Sequence, residues 1–153
     1  VGESPSRLYF ASGSGGTQAG IVVGTRAFNA PFVPVGVSDG DPAAVLRERW
    51  LPLVAATAEL IGLDATFDAD DIVVEDGFYG AGYGHPTPDG LDAIRLLART
   101  EAVFLEPVYT GKAMAALLAH IRAGAFSADE SVVFLHTGGG PSLFGFPALL
   151  VDD

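Results

Sequence analysis

The amino-acid sequence predicts an α/β fold in which one parallel sheet carries helices on both faces. Three observations support this class. Short apolar runs alternate with longer segments of helical periodicity, as they do in repeated β-α units. The chain has 153 residues, about the length of one domain, and its hydrophobic content of 49% suffices for one packed core. Loops rich in glycine and hydroxyl residues follow several apolar runs, at the edge where a parallel sheet binds ligands.

The first strand, residues 8–11, runs into a glycine-rich loop and then a helix. Glycines let successive amide N–H groups converge on an anion, and the positive end of the helix adds to the attraction. A P-loop needs a lysine after its last glycine, and a dinucleotide fingerprint needs a third glycine where Gln18 stands. The loop is therefore predicted to hold a lone phosphate, and a turn without a ligand is the alternative. The predicted contacts are the amides and hydroxyls of Ser14, Gly15, Gly16 and Thr17.

The second and third strands are predicted at residues 32–37 and 72–75, which are short and rich in β-branched residues. A long helix, residues 42–60, is predicted between them. Asp41 is expected to cap this helix, with a proline at its first position. Pro52 lies inside the helix and is expected to kink or split it.

The C-terminal half begins with a glycine- and proline-rich segment, residues 77–90, whose length is typical of a functional loop. The remaining predicted elements are a helix over 91–100 capped by Thr87 or Asp89, a strand over 102–105, a helix over 112–123 and a strand over 131–135. Four loops are expected to meet at the carboxyl edge of the sheet. They are residues 12–18, 38–40, 107–112 and 136–142.

Composition argues against several classes of function. Cysteine is absent, and His85, His120 and His136 form no close-spaced ligand pair, so no metal site is predicted. A net charge of −11 argues against nucleic acid or an anionic membrane as partner. The chain has no apolar run that could span a bilayer and no signal-peptide profile at its N-terminus, so a soluble cytoplasmic protein is expected.

Four segments resemble the pyridoxal-phosphate enzymes of fold type II, specifically the family of 1-aminocyclopropane-1-carboxylate deaminase and D-cysteine desulfhydrase. They are SGSGGTQAG at 12–20, GYGHP at 82–86, EPVYTGKAM at 106–114 and HTGGGPSLFGF at 136–146, in the family's order. The resemblance implies that residues 1–153 are the C-terminal part of the large cofactor domain. It also implies that the first segment, Gln18 included, binds the phosphate of pyridoxal 5′-phosphate.

The same resemblance assigns roles in the other segments. Tyr83 and Tyr109 are implied to line the substrate side of the cofactor, where a phenol can bind the substrate or pass a proton. Thr110 and Thr137 stand where the deaminases carry glutamate and leucine, and hydroxyl residues at both places resemble the desulfhydrase branch. A neutral threonine facing the pyridine nitrogen leaves a weaker electron sink than a carboxylate does. This suits loss of a β-thiol better than opening of a cyclopropane ring.

The resemblance also exposes a missing lysine. The family holds its cofactor through a lysine in the half that precedes the glycine-rich loop, whereas the only lysine here is Lys112, which is expected to face solvent at a helix start. We therefore expect the chain to need a lysine-bearing N-terminal segment or chain. The complete enzyme is expected to be a homodimer that acts on a small amino acid, most simply D-cysteine. The alternative is a non-catalytic half-domain that binds phosphate or pairs with an intact homologue.

Overall fold

Four strands form one parallel sheet in the computed structural model, which describes residues 4–146. In chain order they are β1 (Arg7–Ser12), β2 (Val33–Ser38), β3 (Val73–Glu75) and β4 (Val132–Leu135). Their order across the sheet is β3-β2-β1-β4, with every neighbouring pair parallel. Ser12 and Ser38, the last residues of β1 and β2, lie opposite each other. The loops that follow these two strands therefore start side by side.

Helices cover both faces of this sheet, as predicted. The α-helices are α1 (Gly16–Ala27), α2 (Ala43–Leu60), α3 (Pro88–Glu101) and α4 (Thr110–Arg122), and short 3₁₀ helices lie at Ala69–Asp71 and Gly140–Gly145. On one face α1 and α2 bury Val22 and Trp50 together with Val74 of β3. On the other, α4 buries Leu117 in a core that includes Tyr9 of β1. Within residues 4–146, none of the helices combines the length and apolarity that a bilayer crossing requires.

The strand predicted at residues 102–105 does not form, so that prediction was wrong. Ala102 adopts a left-handed conformation, with φ of 55°, where α3 ends. The next amide, that of Val103, still bonds back to the Leu97 carbonyl of the helix at 3.3 Å. The carbonyl of Phe104 lies 3.0 Å from Nε2 of His136 instead of joining a strand ladder. Local β propensity is therefore overridden by the turn that leaves α3.

The predicted cap of α2 was also wrong, whereas that of α3 is confirmed. Pro42 takes the N-cap position with an extended backbone, and the Asp41 carboxylate instead pairs with Arg49 at 2.8 Å. Pro52 does not split the helix, which continues to Leu60 because its apolar face is anchored on both sides of the proline. The kink that was the other outcome expected at Pro52 stays a prediction. Thr87 caps α3 as expected, since its hydroxyl accepts a hydrogen bond from the Gly90 amide at 3.2 Å.

Candidate functional site

A cavity of about 600 Å³ opens at the carboxyl ends of β1 and β2. All four loops that were predicted to meet at this edge contribute to its lining, together with the segment of residues 77–87 between β3 and α3, called the 77–87 loop below. Five residues predicted for the site line the cavity: Ser14, Thr17, Tyr83, Tyr109 and Thr137. The fold thus brings together side chains that lie more than a hundred positions apart in the chain.

The first turn of α1 begins beside this cavity, which Ser14 and Thr17 line, and it has amides without a backbone partner. Gly15 is the N-cap residue and adopts a left-handed conformation with φ of 91°. Its carbonyl accepts a hydrogen bond from Ala19 at 2.8 Å, and this is the first α1 amide, among the described residues, that donates to a backbone carbonyl. The amides of Gly16 and Thr17 are left without such a partner, as expected for a helix start. Together with the helix dipole they form a site suited to an anion.

A buried tryptophan packs against this helix start and restricts its shape. Trp50 is fully buried, and a Cβ at Gly15 would lie 2.3 Å from its Cδ1 atom. Only glycine fits that position, for reasons of both space and backbone conformation. The Trp50 indole nitrogen has no hydrogen-bond partner among the described residues.

Two other predicted cofactor contacts lie behind the cavity wall. Gln18 is fully buried, and its side-chain amide donates to the Val73 carbonyl at 3.4 Å. Thr110 is also fully buried, and its hydroxyl accepts from the Glu106 amide at 3.0 Å and lies 3.2 Å from Glu106 Oε1. Their direct contact with a cofactor stays a prediction.

The two tyrosines predicted for the substrate side form a pair. Their phenol oxygens lie 2.5 Å apart, and the ring centroids are separated by 5.8 Å. The hydrogen bond with Tyr83, with a smaller contribution from desolvation, raises the pKa of the Tyr109 phenol to about 12. Both phenols keep their protons at neutral pH, and the bond between them uses one of the two protons. The pair is therefore suited to donate the other, rather than to act as a base.

Sequence reasoning missed the charged residues of the cavity. Asp39, Asp41 and Arg49 all line it, and the last two pair at 2.8 Å. Burial raises the pKa of the Asp39 carboxyl, although the Lys112 charge opposes this shift. A Cβ at Gly13 would lie 2.2 Å from Asp39 Oδ2, so the carboxylate reaches the 12–18 loop itself. Within residues 4–146 no three carboxylate or histidine side chains converge in a way that could hold a metal ion.

Lys112 does not face solvent, so that prediction was wrong. The side chain is fully buried, and its Nζ donates to the carbonyls of Asp39 at 2.8 Å and Gly82 at 3.0 Å. Burial lowers the pKa of the amine, while the charges of Asp39 and Glu106 raise it. The buried amine is satisfied by backbone acceptors, as a polar group in a protein interior must be.

Glu106 is a second buried charge that the sequence did not reveal. Its carboxylate accepts the amides of Val108, Tyr109 and Thr110 at 2.7–2.8 Å and so satisfies the start of α4. It also accepts the Ser142 hydroxyl at 2.7 Å, which ties the segment after β4 to the same point. A glutamate followed by proline shortly before a helix is a signal that could have identified it.

The fold and the site define an α/β domain whose ligand pocket lies at the carboxyl ends of a parallel sheet. Residues 1–138 match the family described as pyridoxal-phosphate dependent enzymes. The chain belongs to this family, and the resemblance found in its sequence is confirmed.

Relatives of known description agree with this assignment. Proteins described as D-cysteine desulfhydrase from Salmonella paratyphi C (strain RKS4594) and Salmonella typhi are each 40% identical over 141 residues, which is 92% of this chain. A crystal structure of a homologue of ACC deaminase superposes with a TM-score of 0.84 at 30% identity and covers 98% of this chain. The chain spans only 42% of the length of those desulfhydrases and 45% of the crystallised homologue.

The residues of the cavity fit the cofactor of this family. Small-molecule sites have volumes of roughly 300–1,000 Å³, and the cavity falls in that range. The free amides of Gly16 and Thr17 and the hydroxyl of Ser14 suit a phosphate group. The paired phenols and Thr137 lie on other walls of the same cavity.

Proposed function

We propose that this chain, joined to a lysine-bearing segment, forms a pyridoxal-phosphate enzyme that eliminates the β-thiol of a small amino acid, most simply D-cysteine, to give pyruvate, sulfide and ammonia. One observation carries this proposal: the start of α1, through Ser14 and Thr17, and a pair of phenols line the same cavity. The likeness to proteins described as D-cysteine desulfhydrase supports the choice of substrate. When bound, pyridoxal phosphate supplies the capacity to stabilise negative charge on the reacting carbon.

The proposed roles of the chain's own residues follow from their contacts. The amides of Gly16 and Thr17, with the hydroxyls of Ser14 and Thr17, bind and orient the phosphate. The hydrogen bond between Tyr83 and Tyr109 uses one of the two phenol protons, so the pair can donate the other to the substrate carboxylate as a hydrogen bond or to its reacting carbon as a proton.

The preference for elimination over ring opening is proposed to rest on neutral groups near the pyridine end of the cofactor. Thr137 lines the cavity and Thr110 lies behind Tyr109, and neither carries a charge. We propose that the completed enzyme releases sulfide from D-cysteine faster than it turns over 1-aminocyclopropane-1-carboxylate. Loss of this preference on replacing Thr137 with leucine would support the role of this residue.

The lysine that holds the cofactor is proposed to come from outside this chain. Lys112 is buried and bonded to two carbonyls, so it is not available for this role. Apolar surface for a further segment lies at the exposed edge of β4, where Val133 and Leu135 are about 40% exposed. Phe104, which is 64% exposed, adds to this surface. These features support an N-terminal half as the natural complement.

The proposal is tested in two steps. The chain alone is mixed with pyridoxal phosphate, treated with borohydride and analysed by peptide mass spectrometry, and we expect no stoichiometric pyridoxyl adduct at Lys112. The chain is then combined with the N-terminal segment of a desulfhydrase relative, and sulfide and pyruvate are measured from D-cysteine, with L-cysteine and 1-aminocyclopropane-1-carboxylate as controls.

Each outcome separates the two candidate functions. Sulfide release that depends on the added segment supports the enzyme. Cofactor or phosphate binding without turnover by a complex that has assembled would favour the non-catalytic half-domain. Turnover by the chain alone, with an adduct at Lys112, would overturn the role assigned to the missing lysine.

A further inference from the structure

The buried amine of Lys112 joins two segments that lie far apart in the chain. Its Nζ bonds the carbonyl of Asp39, 73 positions earlier, and that of Gly82, 30 positions earlier. Ala115 and Ala116, which lie three and four positions after Lys112 and so share its face of α4, are both buried, and an apolar residue would therefore suit this position. The amine adds the ability to donate to two backbone carbonyls at once.

Both carbonyls belong to segments that shape the cavity. Asp39 lines it directly, and Gly82 is followed at once by Tyr83, which also lines it. The two segments touch through their backbones, because a Cβ on Gly40 would lie 2.7 Å from the Tyr83 amide nitrogen. Gly82 has φ of 127°, a conformation that favours glycine. Because glycine has no side chain, this end of the 77–87 loop has no anchor of its own at that position.

We propose that Lys112 is a positioning residue: by holding the Gly82 carbonyl against the turn after β2, it fixes the Tyr83 phenol on Tyr109. The catalytic importance of this pair rests on the proposed function, whereas the positioning itself does not. The 77–87 loop is rich in glycine, with left-handed Gly80, Gly82 and Gly84, so it has little intrinsic rigidity. Without the amine the Gly82 carbonyl keeps only the His85 amide at 3.3 Å, a bond within the loop itself. Nothing then ties the loop to the turn after β2 through this carbonyl, and the loop is free to move Tyr83 away from Tyr109.

The titration of Tyr109 provides a direct measurement on the chain without cofactor or substrate. Tyrosines labelled with ¹³C are followed by NMR as the pH rises, and resonances are assigned with single Tyr→Phe variants. In the unchanged chain the pKa of Tyr109 is expected at about 12, because Tyr83 holds its proton. In Lys112→Met, which removes the donor and shortens the side chain by only that one atom, we expect the Tyr109 pKa to fall toward the ordinary value of 10.0.

A chemical rescue separates the amine from the space it fills. The chain has no cysteine, so Lys112→Cys introduces a single thiol that can be alkylated in the unfolded state before refolding. Aminoethylation restores an amine at nearly the original length, whereas ethylation restores only the bulk. We expect the aminoethylated chain to recover the raised Tyr109 pKa and the ethylated chain to lack it.

Two further variants complete the test. Met114→Ala, on the same helix, is expected to lower stability and leave the Tyr109 titration unchanged. Gly40→Ala, whose Cβ would lie 2.7 Å from the Tyr83 amide nitrogen while the lysine is retained, is expected to lower the Tyr109 pKa as Lys112→Met does.

Several outcomes would overturn the proposal. One is an unchanged Tyr109 pKa in folded Lys112→Met, and another is equal recovery of that pKa by the aminoethylated and the ethylated chain. A third is loss of the cooperative fold in Lys112→Met, which would make the lysine a purely structural residue. Because the titration needs neither cofactor nor turnover, these results are independent of whether the chain proves to be part of an enzyme.

Discussion

The phenol oxygens of Tyr83 and Tyr109 lie 2.5 Å apart, although 26 positions separate the two residues in the chain. Each comes from a different loop, and the hydrogen bond is the main reason for the raised pKa of Tyr109. Tyr83→Phe is therefore expected to bring the Tyr109 pKa from about 12 toward 10.0. The ¹³C titration of labelled tyrosines measures this change, with Tyr79→Phe as the control. An unchanged value in folded Tyr83→Phe would mean that the bond is not formed in solution.

Asp39 makes anion binding at the start of α1 depend on pH. Burial raises the pKa of its carboxyl, so the group stays neutral further up the pH scale than an exposed aspartate. As pH rises through that pKa, the Asp39 carboxyl becomes negatively charged beside the 12–18 loop. Its charge then repels an anion at the start of α1 and weakens the binding of that anion. Sulfate is a suitable probe because it keeps both charges over this range. We expect Asp39→Asn to bind sulfate roughly five- to tenfold more tightly at neutral pH, an effect of about 1 kcal/mol.

The measurement follows the amide resonances of Gly16 and Thr17 during sulfate titrations from acid to neutral pH. Asp64→Asn serves as the control, since it removes the same charge from an exposed aspartate that does not line the cavity. A pH dependence that survives in Asp39→Asn would assign the effect to another group. Failure of sulfate to shift these amides in any form of the chain would contradict the predicted anion site.

Gly15 cannot accept a side chain. A Cβ there would lie 2.3 Å from Trp50 Cδ1, and φ of 91° is unfavourable for other residues. Gly15→Ala is expected to lower the free energy of unfolding by about 2–4 kcal/mol through strain and overpacking. Gly16→Ala is the matched control, because a Cβ at that position meets no atom within 4 Å. Urea unfolding followed by circular dichroism compares the two, and equal stabilities would show that Trp50 yields to the added methyl group.

Glu106 is expected to contribute more to stability than its neighbour Ser142. Glu106→Gln replaces a carboxylate that accepts three amides with a group of weaker and fewer acceptors, at an expected cost of about 2–4 kcal/mol. Ser142→Ala removes one hydroxyl donor and is expected to cost about 1 kcal/mol. Urea unfolding of both variants tests the order. A Glu106→Gln chain as stable as the unchanged one would mean that water readily replaces these bonds.

The parts of the fold that sequence predicted are those that local patterns determine. The apolar run of β1, the glycines after it and the helical spacing of α1 lie within about twenty residues, so their arrangement is visible in the sequence. The strand expected at 102–105 has suitable residues, yet strand formation also needs a partner edge. The Phe104 carbonyl lies against His136 instead, 32 positions away. Such a choice depends on tertiary packing that periodicity does not encode.

The candidate site was likewise predicted where local patterns or the resemblance pointed to it, and missed where long-range contacts decide it. Glycine and hydroxyl residues after strands located the cavity, and the resemblance identified the phenols that line it. The burial of Lys112 was missed because a lysine at a helix start is usually exposed, and its acceptors lie 73 and 30 positions away. Asp39 was missed because an aspartate before a glycine also indicates an ordinary turn.

Trp50 is the only tryptophan of the chain, and its buried indole ring lies against Gly15 at the start of α1. Its fluorescence therefore comes from a single position a short distance from the predicted phosphate. A pyridoxal ring bound in the cavity would accept excitation energy from this indole, and an anion alone would alter emission only by shifting the loop above it. The chain thus carries its own optical probe, which can distinguish occupation by a chromophore from occupation by a simple anion without any label.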